Sequence, residues 1–136
     1  MCTAADCHGI ITTSNDEMRE MIMATFTVHQ LDRDLPQNDI DTYYRLSFNS
    51  KRYQPEDFQF FNPVARCEAE DMEEVFDISN RLGFVTDPET RDELNQKLRR
   101  FMPMHSMSVG DIIECHTGMH EYYIVADFGF EPVAVA

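Results

Sequence analysis

The chain has 136 residues, 43% of them hydrophobic, with ten phenylalanines and five tyrosines. That is enough for one domain with a true hydrophobic core, and too apolar for general disorder. Twenty-five acids against eleven bases give a net charge of −14, a field that repels nucleic-acid phosphates and argues against direct DNA or RNA binding.

Residues 1–22 lack the basic start and apolar stretch of a secretion signal, and no apolar run approaches the roughly 20 residues of a membrane span. A cytoplasmic protein is expected. These 22 residues are small and polar, then methionine-rich. They read either as a flexible extension with a short helix or as a segment ahead of the true start of translation, with one folded domain over 23–136. Cys2, Cys7, Cys67 and Cys115 are scattered, so free thiols rather than a disulfide framework are expected. A zinc site would have to combine Cys2, Cys7 and His8 with Cys115 and His116, and no CxxC spacing supports it.

From Ala24, the run TFTVHQL is β-branched and aromatic and predicts a strand. Residues 31–41 predict a polar loop, residues 42–48 (TYYRLSF) a second strand, and residues 49–57 a turn cluster. Residues 58–68 predict an extended segment broken at Pro63, which has no N–H to give a ladder and belongs at a sheet edge or a bulge.

Residues 69–80 predict a helix. Met72, Val75, Phe76 and Ser79 share one face with Ile78 beside them, the acids surround it, and Asn80 followed by Gly83 forms the stop. Residues 86–102 predict a second helix, begun either by a Thr86–Glu89 capping box or by Asp87 ahead of Pro88. Leu94, Leu98 and either Phe101 or Met102 make its apolar stripe, and Lys97, Arg99 and Arg100 suit its C-terminal end.

Residues 111–115 and 121–128 predict a hairpin around HTGMH. Tyr122, Ile124, Ala126 and Phe128 fall on one face, Tyr123, Val125 and Asp127 on the other. Residues 130–135 add a short edge strand. The order describes an α+β domain: a small, mostly antiparallel β-sheet packed with two helices and ending in a C-terminal β-hairpin.

Three patterns bear on chemistry. In MHSMSVGDII (104–113), a serine nucleophile would need a base within hydrogen-bond reach and an oxyanion hole. On an extended strand Ser106 and Ser108 share one face and His105 takes the other, and SMSVG is not the G-x-S-x-G elbow. The stretch therefore reads as a strand entry. Its serine hydroxyls bond local backbone, Gly110 supplies a permissive conformation, and Asp111 accepts from nearby N–H groups. A small hydrolase or nucleotide-processing enzyme around His105, Ser106, Ser108 and Asp111 is the alternative, and it requires those groups to converge in a pocket. Asp127-Phe128-Gly129 spells a kinase triplet, but the chain has no room for two lobes and no catalytic loop, so it reads as a turn. His116 and His120 could meet across the hairpin turn, which keeps a Cys/His metal-binding regulator as a third reading. No cofactor is expected.

The third pattern is acidic. Glu68, Glu70, Asp71, Glu73, Glu74 and Asp77 put six negative charges into ten residues. Like charges at these spacings cost a few tenths of a kcal/mol per pair in an isolated helix, which burial of Met72, Val75 and Phe76 outweighs. With no catalytic cluster competing, this face is the expected partner-binding surface.

In their order, TFTVHQL, EDMEEVFDISN, SMSVGDII and YYIVADFGF resemble the YodL-like domain, a family of small proteins of bacteria, plasmids and phages. Met72, Glu73, Val75 and Phe76, closed by Asn80, are similar to its acidic helix. Ser106, Met107, Ser108, Val109, Gly110, Asp111, Ile112 and Ile113 are similar to its Ser-Leu-Ser-x-x-Asp-Val signature. Tyr122, Tyr123, Phe128 and Gly129 are similar to its closing tyrosine strand and glycine. The resemblance covers residues 25–133; the helix at 86–102 looks like an insertion, and residues 1–22 have no counterpart. It implies no catalytic residues and no cofactor. It implies a non-enzymatic mobile-element accessory protein that binds another protein. The concrete form is an anti-defence inhibitor, anti-CRISPR or antirestriction, whose acidic face covers a basic surface of a host or defence-system protein.

Overall fold

The computed structural model describes residues 23–116 and 121–136. Expectations for residues 1–22 and for residues 117–120, including metal readings that use Cys2, Cys7, His8 or His120, lie outside the described residues. In chain order the elements are β1 (Ala24–Leu31), α1 (Leu35–Asn38), α2 (Ile40–Leu46), a 3₁₀ segment (Pro55–Phe60), β2 (Phe61–Ala69), α3 (Met72–Leu82), α4 (Pro88–Lys97), β3 (Leu98–Arg100), β4 (Ile112–Cys115), β5 (Glu121–Val125) and β6 (Phe130–Val133). The six strands form one antiparallel sheet in the order β3-β2-β1-β4-β5-β6. The molecule is the α+β domain that the sequence predicts.

Strand β1 lies inside the sheet and is buried almost throughout, because both of its faces are covered. Phe26 and Val28 face one side with Cys67, Ile113, Cys115 and Val125, and α3 and α4 cover them with Met72, Val75, Ile78 and Leu94. Ile112 and Ile124 face the other side, where Leu46 of α2 packs with Tyr53 and Phe61. Each large side chain buried in this way contributes roughly 1.5–3 kcal/mol.

A bulge in β2 makes the two-sided core work. Val28 pairs with Ala65 but His29 pairs with Pro63, leaving Val64 as the extra residue. Since side chains alternate with period two, one inserted residue moves Phe61 to the opposite face from Ala65 and Cys67. Pro63 sits at this bulge, past the stretch of β2 that pairs with β3, so its missing N–H costs no ladder bond.

Four local expectations are corrected. Residues 42–48 are not a strand: Ile40–Leu46 is helical, and part of the expected 31–41 loop is also helical. Asp39 caps α2, its Oδ1 accepting from the Thr42 N–H at 3.2 Å and its Oδ2 from the Thr42 hydroxyl at 2.6 Å. Leu46 is buried three residues beyond half-buried Tyr43, a tertiary contact that overrides β propensity. The second predicted helix ends at Lys97 rather than Met102, and Asp87 with Pro88 starts it. Leu98–Arg100 instead pairs with Ala65–Cys67, because β2 would otherwise leave backbone groups without partners along that edge. Strand β5 stops at Val125, so Phe128 belongs to a turn. Finally, Cys67 is a buried thiol but Cys115 is disulfide-bonded, contrary to the expectation of free thiols. Among the described residues, no helix is long and apolar enough to cross a membrane.

Candidate functional site

The acids of α3 divide by what they touch. Asp71 is the N-cap, its Oδ1 accepting from the Glu74 N–H at 2.8 Å, and the Glu74 carboxylate accepts from the Glu70 N–H at 3.1 Å. These two carboxylates are occupied in starting the helix. Asp77 lies 3.9 Å from Arg81 in an exposed i, i+4 pair, worth little. Glu68, Glu70, Glu73 and Asp77 face solvent.

Beside this face is a cleft of about 320 Å³, lined by Glu73 and Phe76 of α3, Val125 of β5, Phe130 of β6, and Ala126, Asp127 and Gly129 of the turn between the strands. The turn is closed by the Ala126 N–H donating to the Gly129 carbonyl at 2.9 Å, with Gly129 at φ 77°. At its tip Phe128 is 96% exposed. An aromatic ring this open, next to an apolar cleft edged by Glu73 and Asp127, has the composition of an interface anchor.

The signature segment makes a second concavity. Residues 104–110 form no strand, so the expectation that Ser106 and Ser108 face away from His105 across a pleat does not hold. Met107 is buried, and its N–H donates to the Ser79 hydroxyl of α3 at 3.0 Å. The Gly110 N–H donates to the Val125 carbonyl at 2.9 Å. Gly110 has φ 98°, and a Cβ there would stand 3.0 Å from the Leu46 carbonyl oxygen. Only glycine lets the loop approach α2 so closely. Between the loop and α1–α2 lies a cavity of about 530 Å³, lined by residues that include Arg33, Pro36, Tyr43, Phe48, His105, Ser106, Ser108 and Asp111.

Serine, histidine and aspartate thus do converge on one cavity, as the hydrolase alternative requires. Their hydrogen bonds go elsewhere. Asp111 Oδ2 accepts from the Ser108 N–H and from Gln30 Nε2, both at 3.0 Å. Gln30 Nε2 also donates to the His105 carbonyl at 2.9 Å, and His105 Nδ1 lies 2.8 Å from the Ser106 carbonyl. Among the described residues no serine hydroxyl is hydrogen-bonded to His105 or Asp111, so no nucleophile and base are paired. Burial pushes the Asp111 carboxyl up to about 6, against the opposing pull of the Ser108 N–H, His105 and Gln30.

The two signature tyrosines separate. Tyr123 is buried in the main core with its hydroxyl donating to Glu121 at 2.7 Å. Tyr122 lies on the opposite face, its ring 5.3 Å from Phe58 and 6.2 Å from His29. That face carries a polar group that sequence reasoning missed. His29 Nε2 is 2.9 Å from Glu114, and His116 Nε2 is 2.7 Å from the Thr27 hydroxyl and 3.6 Å from Glu114. Burial lowers the His29 pKa, opposed by Glu114, and the buried His29 Nδ1 has no partner among the described residues. Among those residues, no three His, Cys, Asp or Glu side chains are placed to hold a metal ion. The alternation Thr27, His29 against Glu114 was visible, but their pairing across β1 and β4 was not.

No family model, curated protein or solved structure matches the chain.

Proposed function

We propose that the chain is a non-enzymatic, YodL-like accessory protein of a mobile element that binds a host or defence-system protein through the exposed acidic face of α3 and the adjoining cleft. The observation that carries this reading is that Glu73 and Asp127 line one cleft with Phe76, Val125 and Phe130, beside exposed Phe128. Acids select a basic partner and speed its encounter; the aromatic and the cleft supply desolvated contact area. An inhibitor that covers the nucleic-acid groove of a CRISPR or restriction component fits this chemistry, because such a groove is basic.

Capture of a partner from host lysate, its identification by mass spectrometry and measurement of its affinity against salt tests the reading. Affinity is expected to fall about tenfold between ~0.05 and ~0.3 M salt. Combined Glu70→Gln, Glu73→Gln and Asp77→Asn changes are expected to remove association with the circular dichroism spectrum unchanged, since none of these side chains makes a buried contact. Glu74 is left in place because its carboxylate holds the helix start. Full-strength binding by the triple variant removes the acidic helix from the mechanism.

A further inference from the structure

We propose that the cavity between the 105–111 loop and α1–α2 binds an organic cation, a guanidinium or ammonium group, with Asp111 as its carboxylate and Tyr43 and Phe48 as its aromatic contacts. Asp111 lines the cavity and is 5% exposed. Both of its side-chain hydrogen bonds land on Oδ2; Oδ1 has no hydrogen-bond partner, and no basic side chain forms an ion pair with Asp111, among the described residues. Oδ1 is not among the buried unpartnered atoms, so it keeps access to solvent and is free to accept from a donor that enters the cavity; a charged donor serves best.

The walls favour the same ligand. Phe48 is held at φ 54°, where a non-glycine residue is strained, and it lines the cavity with 71% of the residue exposed rather than packed in a core. With Tyr43 it supplies the electron-rich ring faces that attract cations. The net charge of −14 concentrates cations and repels anions. Arg33 and Asp32 both line the cavity, one cationic and one anionic. A volume of about 530 Å³ lies within the range of small-ligand pockets, roughly 300–1,000 Å³. The cation has two sources, a free small amine or the arginine or lysine side chain of a protein.

Titration of the isotope-labelled protein by NMR distinguishes them, using agmatine, the end-blocked peptide Ala-Arg-Ala, and the same peptide with neutral citrulline in place of arginine. Saturable shifts are expected at the amides of Phe48, Val109 and Gly110 with the two cationic probes. Tighter agmatine binding assigns a free amine; peptide binding as tight or tighter assigns a protein side chain. Asp111→Asn, which keeps the acceptor for Gln30 and Ser108, is expected to weaken binding about tenfold or more, and Phe48→Ala severalfold without loss of fold. Binding is expected to weaken from pH 7 to pH 5 as Asp111 gains its proton; Asp32, Arg33, Tyr43 and His105 are the other ionisable groups lining the cavity. Equal binding of the citrulline peptide, unchanged affinity in a folded Asp111→Asn or Phe48→Ala variant, or no saturable shift overturns the proposal. Its failure leaves the α3 surface untouched, because neither Asp111 nor Phe48 lines that cleft.

Discussion

Arg45 and Asp57 grip each other through two parallel hydrogen bonds, Nη1 to Oδ2 and Nη2 to Oδ1, each 2.8 Å long. The pair ties α2 to the 3₁₀ segment, and Asp57 also accepts from the Gln54 N–H at 2.8 Å. The Asp57 side chain is 7% exposed and that of Arg45 35%. Asp57→Asn is expected to cost about 1–2 kcal/mol in urea denaturation, a figure reduced by the openness of Arg45 to water. Arg45→Lys loses the planar two-point fit and falls between the variant and the native protein. The Asp57 pKa is held down chiefly by Arg45, so its contribution is present above the unfolded value of 3.8 and disappears as the pH falls below that toward the folded value. An Asp57→Asn variant as stable as the native protein at pH 7 refutes this coupling.

Two buried ionisable groups make stability change with pH in opposite directions. The Asp111 carboxyl is raised to about 6 from 3.8, so the folded state holds a proton that the unfolded chain has released, and acidification from pH 7.5 to 5 stabilises. The His29 pKa is lowered from 6.5 by burial, so the unfolded chain takes up its proton first, and falling pH through 6.5 destabilises. Asp111→Asn removes the first effect and leaves the second. The stability of the native protein relative to that variant is expected to improve by about 1 kcal/mol between pH 7.5 and 5. Chemical denaturation at both pH values measures it, and a difference independent of pH contradicts the burial of Asp111.

Gly110 and Gly129 both have positive φ, but different surroundings. A Cβ on Gly110 would meet the Leu46 carbonyl oxygen at 3.0 Å and the Asn49 nitrogen at 3.2 Å, while one on Gly129 meets nothing within 4 Å. Gly129→Ala is expected to cost about 1 kcal/mol from backbone strain alone. Gly110→Ala adds displacement of backbone and is expected to cost about 2–4 kcal/mol. Thermal melts of the two variants rank them; equal costs would show that the loop does not rest on α2.

Along α3, Asp71→Ala removes a cap and is expected to destabilise by about 1 kcal/mol. Glu73→Gln touches no buried partner and is expected to stay within about 0.5 kcal/mol. The same comparison in a binding assay reverses the order, since Glu73 edges the cleft. A Glu73→Gln variant that destabilises like Asp71→Ala places Glu73 among the structural acids instead.

Some of this was legible in the sequence for local reasons. Met72, Val75 and Ile78 declare the buried face of α3 by spacing, Asp87 sits where a cap is needed, and Pro63 marks its own bulge. Residues 42–48 were misread because Thr42, Tyr43 and Tyr44 favour strands in isolation, while Leu46 is helical through packing on a sheet face that residues 61, 112 and 124 build. Leu98 was misread because its helical spacing and its place in an edge strand both bury the same side chain.

The sequence by itself determined the α+β class, the acidic surface and the residues of the 106–111 loop, because charge, periodicity and turn chemistry act over a few neighbouring positions. Only the tertiary structure decided that this loop faces Tyr43 and Phe48 across a cavity, and that Glu73 and Asp127 line one cleft. Those partners stand 50 or more residues apart in the chain, and the sheet order that joins them follows from pairing and two-sided burial, which no local pattern encodes.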